Sequence, residues 1–163
     1  VGITPDKFPQ DVRKIHDDML VHYKKRKKIE YDKKLELIGS ECEKYVIPQE
    51  DELKNVGIPK LFETLTVVFP KSESDFINEG NQQHNCVGSY CRRVLDGSCI
   101  VFFVRKKDAP YESYITAEYV NGKLNQCMFK NNIRVNDKDM LNYCQVICNR
   151  IKQGIDSKKI IAA

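Results

Sequence analysis

Asn121-Gly122 stands between two runs rich in β-branched and aromatic residues, Tyr114 to Val120 and Lys123 to Phe129. No other pair constrains the fold as much. A strand that returns directly on itself needs a two-residue turn with positive φ at both positions, and Asn-Gly meets that demand as a type I′ turn. The turn sets a register. Val120 faces Lys123, Tyr119 faces Leu124, Glu118 faces Asn125 and Ala117 faces Gln126. Side chains alternate along a strand, so Ile115, Ala117, Tyr119, Leu124, Gln126 and Met128 are expected on one largely apolar face. Thr116, Glu118, Lys123, Asn125 and Cys127 are expected on the other. Gln126 then lies on the core face opposite a small alanine. Only a bulge re-aims a residue within such a ladder, so Glu118 and Gln126 share one site only if the register breaks between them.

The elements around the hairpin follow from apolar spacing. Ile100 to Val104 is apolar at every position, as in a strand covered on both faces. Thr64 to Phe69 reads as an earlier strand closed by Pro70. Ser72 with Asp75 resembles a capping box opening a helix that places Phe76 and Ile77 inward and ends at Gly80. A further helix is expected from Cys86 to Leu95, stopped by Asp96-Gly97. A last one, capped by Asn136 with Asp139, buries Met140, Leu141, Cys144, Cys148 and Ile151. The order strand, helix, helix, three antiparallel strands, helix defines an α+β fold with helices packed on one face of the sheet.

Residues 8 to 46 carry helical spacing twice, at Val12, Ile15, Met19 and Tyr23 and again at Leu35, Ile38, Cys42 and Tyr45. Between them Lys24-Lys25-Arg26-Lys27-Lys28 has no apolar residue, which suggests two helices or one bent helix. Pro9 suits a first turn, and Pro48 ends the pattern. The expected organisation is a helical extension over 1–47, a connecting loop over 48–63, an α+β module over 64–155 and a tail over 156–163. With 163 residues the chain buries a core without disulfides or metal. It opens on Val1, as a fragment or processed product does. No apolar run approaches the length of a membrane span. The seven cysteines form no paired framework, which fits a reducing, cytoplasmic setting. His84, Cys86, Cys91 and Cys99 match no zinc spacing, and no residue pattern calls for a cofactor. The net charge of +4 permits a polyanionic partner without demanding one.

Chemistry concentrates in Glu79-Gly80-Asn81-Gln82-Gln83-His84-Asn85-Cys86-Val87-Gly88-Ser89-Tyr90. A carboxylate, an imidazole, a thiol, two glycines and a cluster of amides interrupt the apolar pattern there. His84 reads equally as a brace for an irregular loop. Cys86 reads first as a small buried packing residue.

These residues resemble the PcfJ-like family of conjugative plasmids, phages and related mobile elements. The resemblance rests on Glu79-Gly80 followed by His84-Asn85-Cys86-Val87-Gly88-Ser89-Tyr90. Arg105 then closes the strand Val-Phe-Phe-Val-Arg, Glu118 sits in Thr-Ala-Glu-Tyr, and Gln126 is followed by Asn131 or Asn132. It covers residues 60 to 133 well and the N-terminal helices loosely. The small residue usual after the glutamine is absent here, where Phe129 or Lys130 stands. The resemblance implies a site at these positions and a mobile-element setting, and it assigns no reaction.

Three chemistries remain open. The element order is similar to that of RelE-like ribonucleases, and metal-independent cleavage of nucleic acid needs a base, a proton donor and a cation on the phosphate. His84 suits base or acid, Arg105 the clamp, Glu118 the second acid–base group, and Tyr90 or Gln126 the positioning of substrate. Alternatively, Cys86 at a helix N-terminus is a nucleophile. Finally, the domain is an accessory module without catalysis, binding nucleic acid or a host protein through Lys24, Lys25, Arg26, Lys27 and Lys28 and the His84 loop. The oligomeric state is left open by the sequence.

Overall fold

The computed structural model describes residues 10–48 and 50–161. The elements are α1 (Gln10–Val46), α2 (Glu50–Asn55), α3 (Pro59–Thr64), β1 (Leu65–Val68), α4 (Glu73–Gln83), a 3₁₀ turn (Cys86–Ser89), α5 (Cys91–Leu95), β2 (Ile100–Lys106), β3 (Ile115–Val120), β4 (Lys123–Phe129), a second 3₁₀ turn (Lys130–Asn132), β5 (Ile133–Arg134) and α6 (Lys138–Asp156). The fold is α+β. Five strands form one sheet in sequence order, each antiparallel to the next.

The hairpin turns at Asn121 and Gly122, both at positive φ. Val120 pairs with Lys123 and Tyr119 with Leu124, as expected. The ladder then breaks between Glu118 and Tyr119: Glu118 pairs with Gln126, Ala117 with Cys127 and Thr116 with Met128, leaving Asn125 unpaired. The extra residue moves Gln126 and Met128 onto the face of Thr116 and Glu118. Cys127 moves to the opposite face, where its Sγ lies 3.7 Å from that of Cys144. The face assignment made from an unbroken register is therefore corrected, because a bulge inverts the alternation beyond it.

Pairing extends both faces across the sheet. Val101, Phe103 and Arg105 share a face with Thr116, Glu118, Gln126 and Met128. Ile100, Phe102 and Val104 share the other with Ile115, Ala117 and Tyr119. The first face receives α4, whose Glu79 and Gln83 bond Thr116. The second receives α6, which buries Tyr143, Cys144, Ile147, Cys148 and Ile151. Helices thus cover both faces rather than one. That agrees with β2 being buried from Ile100 to Arg105.

Several ends and connections differ from expectation. α1 is one helix of 37 residues; its basic run consists of good helix formers. Pro9 lies outside the described residues. The stretch read as a connecting loop holds α2 and α3, because Leu53 and Ile58 bury into the core and Pro59 begins α3, where its missing N–H costs nothing. α4 runs on to Gln83, and Ile77 is exposed while Phe76, Glu79, Gly80 and Gln83 point inward. The helix expected from Cys86 is a 3₁₀ turn followed by α5. Asp137 rather than Asn136 caps α6, accepting from the Met140 N–H at 2.8 Å. Among the described residues, no helix is long and apolar enough to cross a membrane.

Candidate functional site

Ser72 opens α4 by accepting the Asp75 N–H at 3.3 Å. The helix ends where His84 takes the left-handed conformation, at φ 53 and ψ 51, with its N–H donating to Gly80 O. That reversal brings Cys86–Ser89 back across α4. A Cβ on Gly80 would lie 3.0 Å from Gly88 N, closer than side chains normally approach backbone. Glycine at position 80 therefore lets the turn bearing Cys86 lie on the helix. Asn85 caps the turn by accepting the Val87 N–H at 3.0 Å.

Two polar clusters result, meeting at Thr116. The first is buried. Glu79, 1% exposed, accepts from Arg105 Nη2 at 2.6 Å, Ser113 Oγ at 2.8 Å and Thr116 Oγ1 at 2.9 Å. Gln83 donates to Thr116 Oγ1 and to Tyr114 O, both at 3.2 Å. Gln82 accepts the Ser113 N–H at 2.8 Å. Burial pushes the Glu79 carboxyl above the usual range, and the two hydroxyls and the guanidinium pull against it. This network ties α4 to β2, β3 and the loop between them. Arg105, only 8% exposed, has its charge engaged by Glu79 and is not placed to clamp a phosphate.

The second cluster surrounds a cavity of about 20 Å³, room for about one water. Cys86, Tyr90, Glu118 and Gln126 line it, with Asn85, Asn132, Thr116 and the apolar Val87, Val101, Ala117 and Met128. The bulge delivers Gln126, and left-handed Asn131 and Asn132 (φ 62 and 58) turn the chain after β4 back toward it. Glu118 is 2% exposed. Its Oε2 accepts from Asn125 Nδ2 at 3.2 Å. Arg93 Nη2 lies 2.7 Å from Oε1, but off the line of a directed hydrogen bond, so the pair is an ion contact and Oε1 keeps unused acceptor capacity. Beside it burial, reinforced by the Glu118 charge, pushes the Cys99 thiol up to about 12. The Tyr90 hydroxyl is raised by burial and by the neighbouring Cys86 thiol, and its ring lies 4.8 Å from the Arg93 guanidinium carbon.

Cys86, Tyr90, Glu118 and Gln126 are therefore brought together. His84 is adjacent in the chain to the lining residue Asn85 but is exposed and makes no side-chain hydrogen bond to a described residue, so it does not brace the loop. Cys86 is exposed, unlike buried Cys42, Cys99, Cys127, Cys144 and Cys148, so it is not a packing residue. Lys24, Lys25, Arg26 and Lys28 are exposed on the part of α1 remote from the sheet, and Lys27 is half-buried against the Tyr23 ring. Sequence reasoning missed Arg93, Asn85 and the bulge residue Asn125. Arg93 carried a signal: it follows Tyr90 by three residues, the spacing that puts both on one helical face. Among the described residues, no group of three or more His, Cys, Asp and Glu side chains could hold a metal ion.

An uncharacterized protein of Listeria innocua serovar 6a, Lin1253/Lin1744, is 32% identical over 77 residues, which is 46% of this chain and 17% of that protein. The aligned segment is thus a minor part of that relative's length. No solved structure matches this chain. A family model described as PcfJ-like protein matches residues 3–142. The match takes in α1 and the first residues of α6 as well as the cavity, well beyond residues 60 to 133, and the chain belongs to the PcfJ-like family.

Proposed function

We propose that this chain is a nucleic-acid-directed domain of a mobile-element protein, and that its cavity is a centre for metal-independent processing of the bound strand. The observation that carries the reading is the run Lys24 to Lys28, five successive cations on the projecting part of α1. Successive residues turn by about 100°, so the cations ring the helix; Lys24, Lys25, Arg26 and Lys28 are exposed, and Lys27 is half-buried against Tyr23 and paired with Glu30. Beside the cavity, Arg93 takes the phosphate role first given to Arg105, because its side chain is 43% exposed whereas that of Arg105 is 10%. Glu118 Oε1 accepts the proton of the attacking hydroxyl as the new P–O bond forms. The bond to the leaving oxygen breaks, and that oxygen takes a proton from the His84 ring. A cavity of one-water size fits the attacking oxygen alone, so the phosphate and sugar lie at its mouth.

Binding to labelled single- and double-stranded RNA and DNA is measured against salt. Replacing all five cations with glutamine is expected to lower the magnitude of the log–log salt slope by about 4. Cleavage is then followed with and without EDTA for wild type, His84→Ala and Glu118→Gln. EDTA-resistant cleavage lost in both variants supports the processing centre. Salt-dependent binding without cleavage of any substrate leaves an accessory binding module. An unchanged salt slope removes the nucleic-acid reading altogether.

One observation favours a second reading. Cys86 is an exposed thiol that lines the same cavity as Tyr90, an arrangement suited to thiol chemistry. Alkylation at Cys86 faster than at the other six cysteines, with loss of any activity in Cys86→Ser, would identify it.

A further inference from the structure

α1 carries two apolar stripes. At about 100° per residue, Leu35, Ile38, Cys42 and Val46 fall together, and all four are buried. Val12, Ile15, Met19 and Tyr23 also fall together, within about 80° of one another and roughly 140° from the first stripe. The body that buries the first stripe therefore cannot cover the second. From Gln10 to Tyr31 every residue is exposed except Lys27. Ile15 is 60% and Met19 66% exposed. A helix this long, with a row of large apolar side chains in water, draws little stability from propensity alone and is completed by a partner along the row.

The charges beside the stripe indicate which partner. Asp18 and Lys25 are one heptad apart, so they lie on the same flank of the stripe. Among the described residues neither has an ion-pair partner. Set α1 antiparallel to a second α1, so that Met19 of one copy meets His22 of the other. Val12 then meets Ile29, and the stem of Arg26 covers Ile15 while its head reaches water. The same register brings Asp18 of each copy beside Lys25 of the other, twice by symmetry. A parallel in-register pair would instead set Asp18 near Asp18 and Lys25 near Lys25. We propose that the projecting half of α1 is a self-association surface, pairing two copies of this chain through an antiparallel helix contact centred between Met19 and His22. Lys24 and Lys28 lie on the side away from the stripe and stay outside the contact, whereas Lys25 and Arg26 take part in it, so self-association is measured without nucleic acid.

Sedimentation velocity of the purified chain across a hundredfold concentration range is expected to show a monomer–dimer equilibrium. Met19→Glu should abolish the dimer. Asp18→Lys and Lys25→Asp should each weaken it roughly tenfold, since each sets like charges together at two places. The variant with both changes should recover most of the wild-type association. All these positions are exposed and outside the core, so unchanged thermal melts confirm that the variants remain folded. A monomer at every concentration overturns the proposal. So does a dimer indifferent to Met19→Glu, or a double variant weaker than either single one.

Discussion

Glu79 shows how a single side chain can hold a junction without belonging to a cavity. It accepts from a guanidinium and two hydroxyls, and its removal leaves the Arg105 charge buried without its counter-ion. Glu79→Ala is therefore expected to cost about 3–5 kcal/mol in urea unfolding. The pH dependence has a definite sign. Burial holds the folded carboxyl above its usual range, so between the unfolded and folded pKa values the native state binds more protons than the unfolded chain. This contribution is fully present below the unfolded pKa and is lost as pH rises through the folded one. Unfolding free energies measured upward from the ordinary carboxylate range should carry this decline in wild type, and Glu79→Gln should remove it. A decline of the same size in Glu79→Gln would assign it to another group.

At the scale of elements, the β-bulge decides the site. It admits Asn125 between Leu124 and Gln126, and Asn125 itself donates to Glu118. Deleting Asn125 lets Gln126 take the regular position opposite Glu118, so the pairing of Thr116 with Met128 should persist, as cross-strand NOEs would show. The deletion also removes the donor to Glu118 Oε2, a buried acceptor, and should cost about 1–3 kcal/mol. Loss of the Thr116–Met128 pairing, with Cys127 leaving the α6 face, would mean that the bulge is not what aligns the two strands beyond it.

At the scale of the molecule, stability and projection are separate properties. The core takes its first contribution from α1 at Leu35, and α1 docks through Lys34 to Leu95 O at 2.7 Å and Asp32 to the Glu73 N–H at 3.0 Å. A chain beginning at residue 32 should therefore melt within a few degrees of the full chain, since surface groups away from such contacts contribute about 0.5 kcal/mol or less each. It should also lose the basic run and the outer stripe together. A large fall in melting temperature would show that the projecting half is part of the folded body.

How much was legible divides along the reach of the interactions. Local chemistry announced local structure: Asn121-Gly122 marked the hairpin, Ser72 the start of α4, and the apolar run from Ile100 a strand covered on both sides. Residues 79–90, read as the centre of the chain, supply Cys86 and Tyr90 to the cavity and Glu79 to the network beneath it. The residues that complete the site come from elsewhere, and spacing alone could not place them. Gln126 reaches Glu118 because the register slips by one residue, a choice made by packing: it buries Cys127 against Cys144 on one face and keeps the amide at the cavity on the other. Arg105, which the sequence offered as a phosphate clamp, is engaged by Glu79, 26 residues earlier in the chain. The sequence by itself determined the α+β class, most elements and the neighbourhood of the site, because turns, caps and periodicity are decided within a few residues. Only the tertiary structure decided which charges are spent on one another and which face the cavity, because those pairings depend on the packing of segments far apart in the chain.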